Sequence, residues 1–189
     1  MLICTSALAE NLFVSGGDAD GGKISKFTWD ALQSTFASGL RQPQGLAFDS
    51  AGNLFVADYG SGVMGSVIYK FKSNGARSIF VSGLDSPVGL AFDSAGNLFV
   101  SDYGIGSILE FKPNGARRTF ALGLEGPIGL AFDSAGYLFV ADYGSDGSMI
   151  YKFKPTGARS TFVSGLALNE TFLFLASEPA QPAPPPLPR

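Results

Sequence analysis

Asp58, Asp102 and Asp142 each close the same short apolar run, Leu-Phe-Val-x-Asp, and each is followed by a tyrosine, Tyr59, Tyr103 and Tyr143. If the fold brings these carboxylates together, the oxygen-rich site they make suits a hard cation such as Ca²⁺, because zinc favours His and Cys ligands. Beside that site the tyrosines offer amphipathic rings able to stack on a sugar. A plainer role is open to the same residues: the aspartates end a strand and bond to loop amides, and the tyrosines pack between neighbouring elements. What the chain excludes is sharper. It has no histidine, so Ser-His-Asp and Cys-His nucleophile systems and His-ligated zinc are ruled out. Its single Cys4 cannot form an internal disulfide. Asp18-Ala19-Asp20-Gly21-Gly22 echoes the start of a calcium loop but lacks the closing Glu and flanking helices, and reads as a glycine loop.

The elements that position these residues follow from repetition. The motif running from Gly45 to Gly60 returns at Gly89 and again at Gly129. A period of about 40 residues marks a repeat architecture whose single units cannot bury their apolar surface alone. Turn residues divide one unit into four apolar runs, Gly89 to Phe92, Asn97 to Ser101, Ser107 to Lys112 and Arg117 to Leu122, here called strands a to d. Asp93-Ser94-Ala95-Gly96 supplies a tight turn between a and b, and Asn114-Gly115 is a hairpin signal between c and d. Strands a and b are apolar at successive residues, which predicts burial on both faces. Strands c and d alternate and are expected farther out.

Four-stranded antiparallel units with doubly buried inner strands predict an all-β fold, a β-propeller. The units lie near 10–40, lacking its strand a, then 41–84, 85–124 and 125–166, with a partial unit at 167–178. That makes about four blades and a remnant. Residues 1–9 end in Ala7-Leu8-Ala9, the small-x-small form of a signal-peptidase site, and read as the remnant of a secretory leader. An extracellular or periplasmic location is the expectation. Residues 179–189 form a proline-rich tail expected to be extended and unpacked.

Composition narrows the partners. With 189 residues and 46% hydrophobic content the chain can build a sizeable core. Thirteen Lys and Arg residues are scattered, and the net charge is −3, so nucleic acid is not an expected partner. No apolar run reaches about 18 residues, so no helical membrane span is expected.

The stretches Pro43 to Asp58 and Pro87 to Asp102, Pro-x-Gly-Leu-Ala-Phe-Asp-Ser-Ala-Gly-Asn-Leu-Phe-Val-x-Asp, resemble the NHL-type propeller repeat and are similar to gluconolactonase and regucalcin-like propellers. The resemblance implies a ring of about six blades, of which this chain would supply all but one or two. It also implies metal-binding Asn or Asp in the middle of the Pro-x-Gly step; this chain has Gln44, Val88 and Ile128 there, with Glu10 as a poor match for a further ligand. Virginiamycin-lyase-like and amidating-lyase-like propellers depend on histidine, which is missing here.

In a propeller the d-to-a and b-to-c connections share one face. The b-to-c loops, Tyr59 to Gly65, Tyr103 to Gly106 and Tyr143 to Gly147, differ in length, while the a-to-b turn is constant. Variable loops on one face are where repeat proteins bind partners. That face carries Asp18, Asp20, Asp58, Asp85, Asp102, Glu125, Asp142 and Asp146 against Arg41. The expectation is a non-enzymatic, exported binding propeller that takes a protein or carbohydrate ligand on this face, through Tyr59, Tyr103, Tyr143 and Asp146. It needs no organic cofactor, and an open end blade could self-associate. The competing expectation is a Ca²⁺-dependent lactone hydrolase, or a truncated fragment of one, with Asp58, Asp102 and Asp142 at the metal.

Overall fold

The computed structural model describes residues 2–6, 9–18, 21–28, 30–60, 65–145 and 147–166, the side chains of 2–10 and 18 excepted. Trp29, Asp20, Asp146 and residues 167–189, and with them the partial unit and the proline-rich tail, lie outside the described residues.

Four antiparallel four-stranded sheets follow one another along the chain, each ordered as its strands occur in sequence. Blade 1 comprises β1 (Leu2–Ser6), β2 (Ala9–Asp18), β3 (Gly21–Thr28) and β4 (Gln33–Leu40). Blade 2 comprises β5 (Gln42–Phe48), β6 (Leu54–Tyr59), β7 (Ser66–Phe71) and β8 (Arg77–Leu84). Blade 3 holds β9 (Pro87–Phe92), β10 (Leu98–Asp102), β11 (Ser107–Phe111) and β12 (Arg117–Leu122). Blade 4 holds β13 (Pro127–Phe132), β14 (Leu138–Asp142), β15 (Ser148–Phe153) and β16 (Arg159–Leu166). The architecture is that of successive β-propeller blades.

The turns form as their residues dictate. Asp93 Oδ1 accepts hydrogen bonds from the amides of Ala95 at 2.9 Å and Asn97 at 2.8 Å, and Gly96 takes a φ of 81° that a side chain would resist. Asp49 and Asp133 repeat this arrangement.

Two expectations are corrected. The first unit does not lack its inner strand, because Leu2–Ser6 pairs with β2, Cys4 opposite Phe13. Strand c is not an outer strand throughout: every residue of β11 is buried, Glu110 included. Its alternation of apolar and charged residues places one set against each neighbouring blade rather than one set in water. Strand d alone keeps a broad exposed face.

Between blades the same four-phenylalanine wedge recurs. Phe55 of β6 meets Phe80 of its own blade at 5.1 Å and Phe92 of the next at 5.0 Å, and Phe80 reaches Phe111 of that blade at 6.0 Å. Phe13, Phe36, Phe48 and Phe71 make the preceding wedge, and Phe99, Phe120, Phe132 and Phe153 the following one. Most of these contacts are edge-on or tilted, the geometry ring quadrupoles favour. Many of the chain's 17 phenylalanines are accounted for in this way. Blade 4 presents the same downstream pair, Phe139 on Phe162 at 5.0 Å, and Phe162 is 59% exposed.

Nearer the axis the inner strands approach backbone to backbone. A Cβ at Gly45 would stand 2.1 Å from the Val88 carbonyl oxygen, and one at Gly89 would stand 2.0 Å from that of Ile128. Glycine is therefore required in the Pro-x-Gly step by the neighbouring blade. Ser101 Oγ donates to the Ile128 carbonyl at 2.8 Å and accepts from the Gly89 amide at 2.7 Å, which ties the same contact laterally. Ser15 Oγ donates to the Gln44 carbonyl at 2.9 Å in the equivalent place between blades 1 and 2.

Gly89→Ala is expected to destabilise the chain by about 1–3 kcal/mol through overpacking. Gly16→Ala, where a Cβ meets nothing within 4 Å, should stay within about 0.5 kcal/mol of the parent. Phe120→Ala should cost about 2–4 kcal/mol and Phe162→Ala under about 1 kcal/mol, since only the first removes a filled wedge. Urea unfolding of the four variants checks the ranking.

Candidate functional site

At the loop-bearing end of each blade, the aspartate that ends strand b turns back on the connection entering its own blade. The Asp58 carboxylate accepts from the Arg41 amide at 3.0 and 3.1 Å and from the Gln42 amide at 2.8 Å. Asp102 accepts from Asp85 at 3.2 Å and Ser86 at 3.0 Å, and Asp142 from Glu125 at 3.2 Å and Gly126 at 2.8 Å. The three are 3%, 0% and 4% exposed. Each thus fastens the d-to-a linker of its own blade. Among the described residues no three or more acidic or Cys side chains are grouped to hold a metal ion.

Burial raises the carboxyl pKa of Asp58 and Asp142 above the ordinary 3.8, and the amide hydrogen bonds only partly offset it; at Asp142 the Glu125 charge adds to the rise. At Asp49 burial also acts upward, yet the bonds from Asn53 and the charge of Lys70 outweigh it and lower the pKa.

The tyrosines divide. Tyr59 and Tyr103 are 41% and 36% exposed, whereas Tyr143 is half-buried against Ile128 and Ala141. The Tyr103 ring crosses the backbone of the next blade, so close that a Cβ on Gly126 would lie 2.7 Å from it. Such a ring is held by the scaffold while about a third of the residue stays in solvent.

A position that charge alone did not single out lies among them. Arg41, Asp85 and Glu125 each follow the leucine that ends the d-strand unit, Leu40, Leu84 and Leu124, and all three are exposed. Their side chains fold over the b-to-c loop of their own blade, against Gly60, Gly104 and Gly144. Glu125 also accepts from the Ser145 amide at 2.8 Å. Among the described residues, the accessible charge of this face therefore comes from a position that changes sign between blades, while Asp58, Asp102 and Asp142 are spent inside. Aligning the repeats reveals the position; only the exposure tells it apart from the buried acids.

No protein-family model matches the sequence, and no curated protein sequence does. Solved structures do resemble it. Virginiamycin B lyase from Staphylococcus aureus superposes with a TM-score of 0.68 at 16% identity, over 85% of this chain and 54% of its own. A gluconolactonase-type protein gives 0.64 at 18% identity, over 80% of this chain and 59% of its own. A luciferin-regenerating enzyme gives 0.65 at 16%, over 86% and 61%. The likeness shows the fold, that of gluconolactonase-like and lyase-type β-propellers, and the chain spans little more than half the length of these proteins. At the Pro-x-Gly positions Gln44 offers a side-chain oxygen while Val88 and Ile128 offer none, and the three strand-b aspartates accept from linker amides.

Asp102→Ala is expected to cost about 2–4 kcal/mol, because two linker amides lose a charged acceptor inside the fold. A pH series adds a sign test. Asp58 and Asp142 contribute most below 3.8, and their contribution falls as pH rises through their raised pKa; Asp49 contributes above 3.8 and is lost as pH falls through its lowered one. Asp58→Asn, a neutral mimic, should therefore compare more favourably with the parent at pH 7 than at pH 3.5 in urea unfolding.

Proposed function

We propose that this chain is a non-enzymatic binding propeller, exported from the cell, that offers its d-to-a and b-to-c loop face to a protein or glycan partner. One observation carries the reading: on an otherwise repeated scaffold, the exposed residues of this face differ from blade to blade, Arg41, Asp85 and Glu125 in charge and the b-to-c loops in length. A rigid frame with changeable surface residues serves recognition. Tyr59 and Tyr103 supply exposed ring area with few rotatable bonds, a composition that favours contact. Pairing of the open blade 4 face with a second copy is part of the same reading, supported by exposed Phe162 beside Phe139. The competing lactone hydrolase is not better supported: of the three Pro-x-Gly positions only Gln44 carries a side-chain oxygen, and among the described residues no three acidic side chains are grouped to hold a metal ion.

The test uses the full chain on an array of soluble glycans and, separately, in crosslinking to extracellular-fraction proteins. Parent protein should give a reproducible partner whose signal falls about tenfold in Tyr59→Ser/Tyr103→Ser/Asp85→Lys, with the thermal midpoint kept. Hydrolysis of an aldonolactone that depends on Ca²⁺ would overturn the non-enzymatic reading.

A further inference from the structure

On the opposite face, between blades 3 and 4, lies a cavity of about 360 Å³ lined by Asp93, Asn97, Phe99, Glu110, Arg118 and Lys154 among others. Its chemistry is best read against the sister blades. In blade 2 the residue paired across the sheet with Phe55 is Lys70; its ammonium lies 5.1 Å from that ring and 3.4 Å from the turn carboxylate of Asp49. Blade 4 repeats this with Lys152, 5.1 Å from Phe139, 4.0 Å from Tyr137 and 3.8 Å from Asp133. Two copies of the repeat thus fill the same place with an ammonium held by a ring face and a carboxylate.

Blade 3 keeps the ring, Phe99, and the turn, Asp93, but opposite Phe99 stands Glu110. The ammonium is gone, a second acid stands in its place, and that acid is 5% exposed. Among the described residues Glu110 has one ion-pair partner, the Arg118 guanidinium, which contacts Oε2 while its own side chain is 56% exposed. No hydrogen bond of good geometry reaches that oxygen even so, and the ion pair alone is the contact that counts. Asp93 and Glu110 thus border the same open volume with the largely exposed Arg118 guanidinium as the one cation paired to Glu110, where each sister blade sets one ammonium against one acid, so the place is one positive charge short of its sisters.

We infer that the blade 3–4 cavity binds a small organic cation, a primary ammonium on a short alkyl chain, whose charged group takes the place that Lys70 and Lys152 fill in the neighbouring blades. Asp93 and Glu110 receive its N–H groups, the Phe99 face receives its charge, and the apolar walls from Phe120 and Phe132 cover its methylenes. This site is separate from the loop face, and its success or failure leaves the proposed recognition role untouched.

The experiment is an NMR titration of the full chain with n-butylammonium chloride up to tens of millimolar at constant ionic strength, beside n-butanol. Saturable shifts confined to residues around Phe99 and Ala135, with n-butanol at least about tenfold weaker, are expected. Glu110→Gln should weaken the ammonium about tenfold with its thermal midpoint retained. Glu110→Lys/Arg118→Ser, which installs the blade 2 pair at Lys70 and Ser78, should abolish binding and raise the midpoint. Equal response to ammonium and alcohol, or undiminished binding by either variant, would overturn the inference.

Discussion

The structure hangs on how closely one inner strand can approach the next. The carbonyls of Val88 and Ile128 sit where the side chains of Gly45 and Gly89 would be, and this absence of atoms sets the separation at which each phenylalanine wedge closes. Move the inner strands apart and Phe55 loses Phe92, and Phe99 loses Phe132, because edge-on contacts near 5 Å tolerate little displacement. Backbone approach inside and aromatic packing outside are two ends of one lever.

That division of labour explains why the fixed and changeable residues fall where they do. Wedge residues are phenylalanine in every blade, and the tight turn and the strand-b aspartate hold a single type in blades 2 to 4. Positions 41, 85 and 125 are exposed and lie over the glycine of their own b-to-c loop, so Arg, Asp and Glu are all accommodated. Position 110 is the instructive exception. It lies inside the interface, yet it departs from the lysine of its sisters, and Arg118 changes beside it from the serine seen at 78 and 160.

The blade was legible in the sequence because its signals are local: Asp93 to Gly96 marks a turn whatever the tertiary context, and Asn114-Gly115 marks another. Strand c was misplaced because alternation reports two different surroundings and not which of them is wet; Glu110 alternates with Leu109 and still lies buried between blades. The aspartates at 58, 102 and 142 show the same limit from the side of function. Their type and spacing serve a cation site or a linker clasp equally well, and the sequence does not show that the amides of residues 41–42, 85–86 and 125–126 donate to those oxygens. The open place over Phe99 could be recognised only once Lys70 and Lys152 were seen in position.

Consider finally the contrast between β11, buried along its whole length, and β15, which is buried only at its two ends. β7 differs from β15 at one residue, Val67 against Met149, yet keeps Val67 and Ile68 buried where Met149 and Ile150 are partly exposed, so the difference comes from neighbours: among the described residues blades 2 and 3 are flanked on both sides and blade 4 on one. A chain assembled this way behaves as a one-dimensional lattice in which each unit draws its stability from the units it touches. Among the described blades, protection against opening is then graded by neighbours, greater in blades 2 and 3 than in blade 4.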